Sequence, residues 1–228
     1  GSRKMRGVEA LIRWKDQDGK MISPSVFIPI AEKNGTIVPI GNWVIEESIR
    51  IFASWKKKYK CDVVLSLNIS AIQYMRDDFI DSLLAIIKKY EVNPAELELE
   101  ITESVLIENF KEVTRKLHIL RDYGIKISLD DFGTGYSSLS YLKGLPIDTL
   151  KIDKSFIDTI ILDENTRVIT ESIVFMVKKL GFETIAEGVE TDEQFEYLKN
   201  IGCDCIQGYL LGKPVESEKI EELLSHQL

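Results

Sequence analysis

The sequence predicts an α/β fold, a TIM-like (β/α)8 barrel in which one strand is missing. Short apolar stretches typical of strands alternate with longer amphipathic stretches typical of helices along most of the 228 residues. That order indicates a parallel sheet flanked by helices. We count seven strands, one fewer than a closed barrel of this type needs. An open doubly wound sheet is the alternative, but no Gly-x-Gly-x-x-Gly fingerprint follows an early strand.

The chain opens with a predicted strand and helix. Val8 to Trp14 has the pattern of a strand, on which Glu9 and Arg13 share one face. Ser23-Pro24 then supplies a helix cap with proline in the first turn, and this helix is expected to end near Gly35.

The rest of the chain repeats the order of strand and helix. A long amphipathic helix is expected from about Gly41, with a core side formed by Trp43, Ile45, Ile49, Phe52 and Trp55. The predicted strands that follow cover residues 63–69, 97–101, 126–131, 148–153, 183–187 and 203–207. The predicted helices cover residues 77–90, 110–123, 138–143, 164–180 and 192–200, and a last helix begins at about Ser217.

Composition narrows the class of protein. With 44% hydrophobic and 29% charged residues, the chain suits one globular domain, residues 3–228, and the opening Gly-Ser is interpreted as an expression scar. No run of about 18 apolar residues predicts a membrane span, although a parent protein tethered to a membrane by another segment stays possible. Three cysteines, an odd count, favour reduced thiols and a cytoplasmic setting. The two histidines do not support a zinc site of the usual spacing.

The formal net charge of −8 disfavours a general binder of DNA or RNA, which needs a basic surface. It does not exclude a small phosphorylated ligand. Metal ions held in a negative pocket reverse its local sign and make it attractive to phosphate.

The most informative stretch is Lys126-Ile-Ser-Leu-Asp-Asp-Phe-Gly-Thr-Gly-Tyr136. Two adjacent carboxylates, Asp130 and Asp131, follow a buried strand pattern and precede a loop with two glycines. Neighbouring acids repel and lose hydration, but divalent cations between them make the arrangement favourable. If this stretch is considered by itself, a solvated Asp-Asp turn is the alternative to a metal site.

Polar residues recur near the ends of the other predicted strands. They are Asn68, Glu100, Lys151, Asp153 and Glu187, and Glu9 joins them from the first strand. In a parallel barrel these strand ends point to one rim, where catalytic loops lie. Carboxylate and amide oxygens are the ligands that Mg²⁺ and Mn²⁺ prefer, and their number here suits two ions.

Seven motifs in register resemble the EAL domain, a family that contains cyclic di-GMP phosphodiesterases of bacterial signalling. The likeness runs from about residue 7 to residue 224. The motifs are Val8-Glu-Ala-Leu-Ile-Arg-Trp14, Asn68-Ile-Ser70, Glu100-Ile-Thr-Glu103, Asp130-Asp-Phe-Gly-Thr-Gly-Tyr-Ser-Ser138, Lys151-Ile-Asp153, Glu187-Gly-Val-Glu190 and Gln207-Gly-Tyr209.

The resemblance implies a hydrolase that opens cyclic di-GMP to linear pGpG by two-metal activation of water. It implies that one Mg²⁺ or Mn²⁺ is bound by Glu9, Asn68, Glu100 and Asp130. The second ion would be held by Asp130, Asp131 and Glu187. Lys151 would orient the attacking water, and Glu187 is also a candidate general base. Arg13 and Gln207 would contact substrate, and Glu103 would brace the glycine loop.

Two other functions stay open. A cyclic di-GMP receptor that binds without cutting would normally lack metal ligands, whereas this sequence keeps all of them. A metal-dependent barrel lyase using Lys151 as base or Schiff-base amine leaves Asn68 and the Asp130-Asp131 pair less well explained.

The resemblance also implies partners. The glycine loop and the helix after it contribute to dimerisation in the family, so a homodimer is expected, with sensory or GGDEF-type domains upstream in the parent protein. Family members carry one more strand before Val8, with a Gln-Pro pair near the guanine. Its absence here predicts weaker substrate binding, and an exposed sheet edge that favours dimerisation or lowers stability.

Overall fold

The computed structural model of the chain describes residues 4–59, 61–133 and 142–225, apart from the side chains of residues 107 and 108. Most of the helix predicted over residues 138–143, and Gly135 of the central motif, lie outside the described residues.

Strands and helices alternate along the described chain. The strands are β1 (Gly7–Ala10), β2 (Trp14–Lys15), β3 (Met21–Ile22), β4 (Val64–Asn68), β5 (Leu97–Thr102), β6 (Lys126–Phe132), β7 (Thr149–Ile152), β8 (Glu183–Ala186) and β9 (Cys205–Ile206). The helices are α1 (Pro24–Asn34), α2 (Ile37–Lys58), α3 (Ala71–Met75), α4 (Phe79–Tyr90), α5 (Glu103–Glu108), α6 (Phe110–Asp122), α7 (Lys154–Thr159), α8 (Glu164–Lys179), α9 (Asp192–Asn200) and α10 (Ser217–Ser225). No described helix is long and apolar enough to cross a bilayer.

Seven strands form one sheet in the hydrogen-bonded order β1-β4-β5-β6-β7-β8-β9. The pairs β1–β4, β6–β7, β7–β8 and β8–β9 run parallel. Helices separate consecutive sheet strands from β4 to β6 and from β7 to β9, as parallel pairing requires, and part of the connection between β6 and β7 lies outside the described residues. The structure therefore confirms the predicted fold class, a TIM-like (β/α)8 barrel with one strand missing.

The chain divides into two compact units. The first contains residues 1–99, 123–125 and 215–228, and the second contains residues 100–122 and 126–214. In the first unit α2 packs against α4 through a buried apolar face. The buried residues of these two helices include Ile45, Ile49, Phe52, Trp55, Leu83 and Ile87.

The second unit has its own apolar core. β6 and β7 carry buried aliphatic side chains, α6 packs its amphipathic face against β6, and α8 packs its amphipathic face against β8. The buried residues include Ile127, Leu129, Leu150, Ile152, Val113, Leu117, Val174 and Val177. Two caps position the helices of this unit. Asp163 accepts hydrogen bonds from the backbone at the start of α8, and Thr191 forms a capping box with Gln194 on α9.

The predicted strand from Val8 to Trp14 is wrong in extent. β1 ends at Ala10, and Trp14 belongs to β2, which pairs antiparallel with β3 in a separate ribbon. Aspartates and Gly19 between β2 and β3 form the turn that closes this ribbon, and the left-handed backbone of Gly19 suits it. Glu9 and Arg13 therefore do not share a strand.

The predicted long helix is wrong in its start and in one residue of its core side. α2 begins at Ile37, four residues before Gly41, and the side chain of Trp43 is 61% exposed instead of facing the core. The remaining predicted core residues of this helix are buried. The short helices α3, α5 and α7 were not predicted, because five or six residues show too little periodicity.

Candidate active site

A β-bulge at the end of β6 places two acidic residues side by side. The pairing of β6 with β7 shifts register there, so that Asp130 and Asp131 together lie opposite the single residue Lys151. In a regular strand adjacent side chains point to opposite faces. A bulge inserts one extra residue and re-aims the side chains. The chain can therefore present both carboxylates to one site.

Asp131 has a left-handed backbone, with φ of 55°. This conformation costs about 1 kcal/mol for most residues, but Asp and Asn tolerate it better than other side-chain-bearing residues. Strained backbone of this kind persists when the surrounding structure holds it in place. Gly133, two residues later, also has positive φ, at 99°.

Lys151 lies at the centre of the acidic cluster, and its side chain is only 1% exposed. Its Nζ donates a hydrogen bond of 2.7 Å to Glu100 Oε2. The same nitrogen lies 2.7 Å from Glu187 Oε1 and 3.4 Å from Asp130 Oδ1. A buried ammonium with three carboxylates around it neutralises part of their mutual repulsion.

Asp130, Asp131 and Glu187 form the group of carboxylates suited to a metal ion within the described residues. One oxygen from each lies within 4.8 Å of the others. Carboxylate oxygens at this spacing are hard ligands, so the donor set fits Mg²⁺ or Mn²⁺. With Glu100 included, the cluster contains four carboxylates and the one ammonium of Lys151, and it keeps an excess of negative charge that cations would offset.

The pKa of Asp131 is raised from its ordinary value. Burial is the largest cause, and the negative charges of Asp130 and Asp153 add to it, while Lys151 acts in the opposite direction. A carboxyl whose charged form is disfavoured in this way gains more than a solvated one from a nearby cation.

Glu9 and Asn68 lie in the first unit, where they contact each other. β1 pairs with β4, and Asn68 Nδ2 donates a 2.6 Å hydrogen bond to Glu9 Oε1. Arg13 belongs to the segment after β1, and its guanidinium donates to the carbonyl oxygen of Ile12. The structure thus brings Glu9 and Asn68 together, and it does not place Arg13 beside Glu9 on a strand.

Gln207 and Glu103 lie in the second unit. The backbone of Gln207 continues the pairing of β8 with β9, since its N–H donates to Ala186 and its carbonyl oxygen accepts from Val189. Glu103 is the first residue of α5 and is nearly buried. The residues that the glycine loop contributes after Gly133 lie outside the described part, so the bracing role of Glu103 stays a prediction.

Sequence reasoning missed a buried acid beside one of the predicted ligands. Glu98 is fully buried in the first unit, where both terminal nitrogens of Arg6 donate to it at 2.8 Å and Ser66 Oγ donates at 3.0 Å. The alternation Leu97-Glu-Leu-Glu-Ile101 could have indicated this residue, because it puts Glu98 on the same face of β5 as the predicted ligand Glu100.

Comparison with known proteins identifies relatives over nearly the whole chain. The family model described as "EAL domain" matches residues 1–214. Signaling protein YkoW of Bacillus subtilis is 42% identical over 224 residues, 98% of this chain and 28% of the relative. The bifunctional diguanylate cyclase/cyclic di-GMP phosphodiesterase MucR of Pseudomonas aeruginosa is 41% identical over 216 residues, 95% of this chain and 32% of the relative. The chain thus spans about a third of the length of these curated relatives.

A solved structure agrees with these relatives. The structure described as "PaMucR Phosphodiesterase, c-di-GMP complex" superposes with a TM-score of 0.91 at 40% identity. The match covers 95% of this chain and 88% of that one. The backbone described above is therefore shared with a protein that was solved with cyclic di-GMP.

Proposed function

Because the chain belongs to the EAL domain family, we propose that it is a metal-dependent phosphodiesterase that hydrolyses cyclic di-GMP to linear pGpG. The observation that carries the proposal is the buried Lys151 with Glu100, Asp130 and Glu187 around its ammonium group. The relative MucR, whose printed name includes this activity, supports the choice of substrate.

The carboxylates of the second unit are proposed to hold two divalent ions. Asp130, Asp131 and Glu187 form the group around one of them. Glu100 and Asp130 contribute to the other, and the resemblance adds Glu9 and Asn68 as further ligands. Bound Mg²⁺ or Mn²⁺ would supply Lewis acidity toward the phosphate oxygens and lower the pKa of a water molecule.

The side chains of the protein perform the remaining steps. Lys151 donates hydrogen bonds that fix the attacking water, and its positive charge stabilises the charge that develops on phosphate. Glu187, whose Oε1 lies 2.7 Å from Lys151 Nζ, is proposed both to bind an ion and to accept the proton of that water. The water oxygen joins phosphorus, the bond to the ribose 3′ oxygen breaks, and the proton passes to that leaving oxygen.

The environment of Lys151 argues against a lyase. A Schiff-base mechanism needs a neutral, nucleophilic amine. Three carboxylates within 3.4 Å of Nζ favour the charged ammonium instead. The same ammonium is well suited to bind water and phosphate.

The first prediction tests hydrolysis directly. Incubation with cyclic di-GMP and Mg²⁺ or Mn²⁺ is expected to yield pGpG. Chromatography measures the amount of pGpG that is formed. We expect Asp130→Asn and Glu9→Ala to abolish turnover, because each removes a proposed metal ligand. The matched control is Glu112→Gln on the exposed face of α6, where the carboxylate pairs with Arg115.

The outcomes separate an enzyme from a receptor. Near-full hydrolysis by Asp130→Asn with Mn²⁺ would contradict the ligand assignment. Binding of cyclic di-GMP without product, at saturating metal, would favour the non-catalytic receptor.

A further inference from the structure

The short helix α7 begins three residues after Lys151 and touches the loops that follow two proposed metal ligands. Its side chains Phe156 and Lys154 contact Gly133 and Gly188, respectively. Gly133 lies two residues after Asp131, and Gly188 lies one residue after Glu187. All of these residues belong to the second unit.

The ring of Phe156 lies directly against the backbone of Gly133. A Cβ atom at Gly133 would come within 2.6 Å of Phe156 Cε2 and 2.8 Å of Cζ. The backbone turns through left-handed conformations at Asp131 and again at Gly133. Such backbone must be held by packing. The contact with Phe156 is the packing that the structure provides on the side of α7.

Lys154 makes the corresponding contact with the other loop. A Cβ atom at Gly188 would lie 2.3 Å from Lys154 Cγ, so the aliphatic part of this lysine covers the glycine. Its Nζ lies 2.9 Å from Glu190 Oε1, in the same loop, and 2.6 Å from Asp158 Oδ1 on α7. The ammonium therefore ties the loop after β8 to the helix.

We propose that α7 positions two of the metal ligands, with Phe156 fixing Asp131 through Gly133 and Lys154 fixing Glu187 through Gly188 and Glu190. Both are positioning residues, since neither a phenyl ring nor an ammonium group supplies a ligand atom to a cation. The inference rests on the proposed function, because it treats Asp131 and Glu187 as ligands. It adds that metal affinity depends on side chains that contribute no ligand atom.

The experiment measures Mn²⁺ binding by titration calorimetry on the intact protein, independently of turnover. Phe156→Ala is expected to weaken Mn²⁺ binding by about tenfold, as loss of a side chain that orients a ligand does. Turnover at saturating Mn²⁺ should return close to that of the wild type. Phe156→Tyr keeps the ring and should bind Mn²⁺ as the wild type does.

Matched controls separate positioning from general loss of packing. Phe182→Ala removes another partly buried phenylalanine of this unit, from the opposite end of β8, and should leave Mn²⁺ affinity unchanged. Lys154→Ala should weaken Mn²⁺ binding, whereas Lys178→Ala should not. Lys178 is similarly exposed and pairs with Asp204, away from the ligands.

A double-mutant cycle tests the contact itself. Gly133→Ala is expected to weaken Mn²⁺ binding more in the wild type than in Phe156→Ala, where the added methyl group no longer meets the ring. The backbone strain of alanine at this φ is the same in both backgrounds and cancels in the cycle.

The outcomes distinguish this inference from the proposed function. If Phe156→Ala binds Mn²⁺ as tightly as Phe182→Ala does, or if the cycle shows no coupling, α7 does not position the ligands. A wild-type protein that binds no Mn²⁺ overturns the proposed function and this inference together.

Discussion

At the scale of single residues, the carboxylates of the proposed site share one buried cation. Lys151 is enclosed by Glu100, Asp130 and Glu187. Because the charges are desolvated, removing one partner leaves the others uncompensated.

We therefore predict that Lys151→Met destabilises the protein in EDTA by about 3 kcal/mol, as breaking a buried ion network does. Mn²⁺ should raise the unfolding midpoint of this variant more than that of the wild type, because the ions replace the lost positive charge. Urea unfolding with and without Mn²⁺ measures both effects.

Lys178→Met serves as the control for this prediction, since its ammonium is 44% exposed and its ion pair with Asp204 is worth little. Equal stability of Lys151→Met and wild type in EDTA would show that the carboxylates do not need the lysine.

At the scale of elements, the strands of the sheet were predictable and the end of β6 was not. The apolar residues of Ile127-Ser-Leu129 and Leu150-Lys-Ile152 alternate with polar ones, and this period of two predicts strands. A bulge leaves no such pattern. Adjacent acids such as Asp130 and Asp131 are expected on opposite faces, and only the register with β7 shows that they share a position.

The same limit explains the error at the first strand. Leu11, Ile12 and Trp14 continue the apolar character of β1, so the sequence pattern does not mark the end of the strand at Ala10. Trp14 instead begins β2, which pairs antiparallel with β3 in a short ribbon. The candidate ligands were found nonetheless, because their motifs depend on order along the chain and not on exact strand ends.

Helix α2 offers a prediction in which packing overrides helix propensity. Gly41 lies inside this helix, where alanine is normally more stable by about 1 kcal/mol. A Cβ atom at this position would come within 2.2 Å of Gln73 Oε1. Gln73 is buried and its Nε2 donates to Asn42 Oδ1, so the amide cannot move without losing a hydrogen bond.

Gly41→Ala is therefore expected to lower the free energy of unfolding, by about 1–2 kcal/mol, because a buried polar group loses its partner. The urea midpoint measures the change. Gly144→Ala, where a Cβ atom would meet nothing within 4 Å, is the control and should unfold at or above the wild-type midpoint. An increase in stability for Gly41→Ala would mean that Gln73 relaxes freely.

At the scale of the whole molecule, the net charge of the chain and the order of strands in the sheet indicate which partners it can bind. A net charge of −8 agrees with a small ligand bound through cations and not with a nucleic-acid polymer. In the hydrogen-bonded order of the sheet, β1 is an end strand with β4 as its described neighbour. The open side of such a strand presents backbone groups that pair readily with another chain.

We expect the protein to sediment as a homodimer at micromolar concentration, since association would cover this edge. Analytical ultracentrifugation across a dilution series measures the oligomeric state. A stable monomer of the unaltered chain at that concentration would contradict this expectation.

The bulge in β6 has a consequence for how activity can be lost among related chains. A single extra residue, Asp131, makes the difference between a strand end that carries two adjacent acids and a regular strand end. Deleting that single codon would restore the regular pleat, with Asp130 alone opposite Lys151 and Phe132 still opposite Ile152. Such a chain would lose one proposed metal ligand, so we expect it to bind Mn²⁺ less tightly and to lose the proposed hydrolysis.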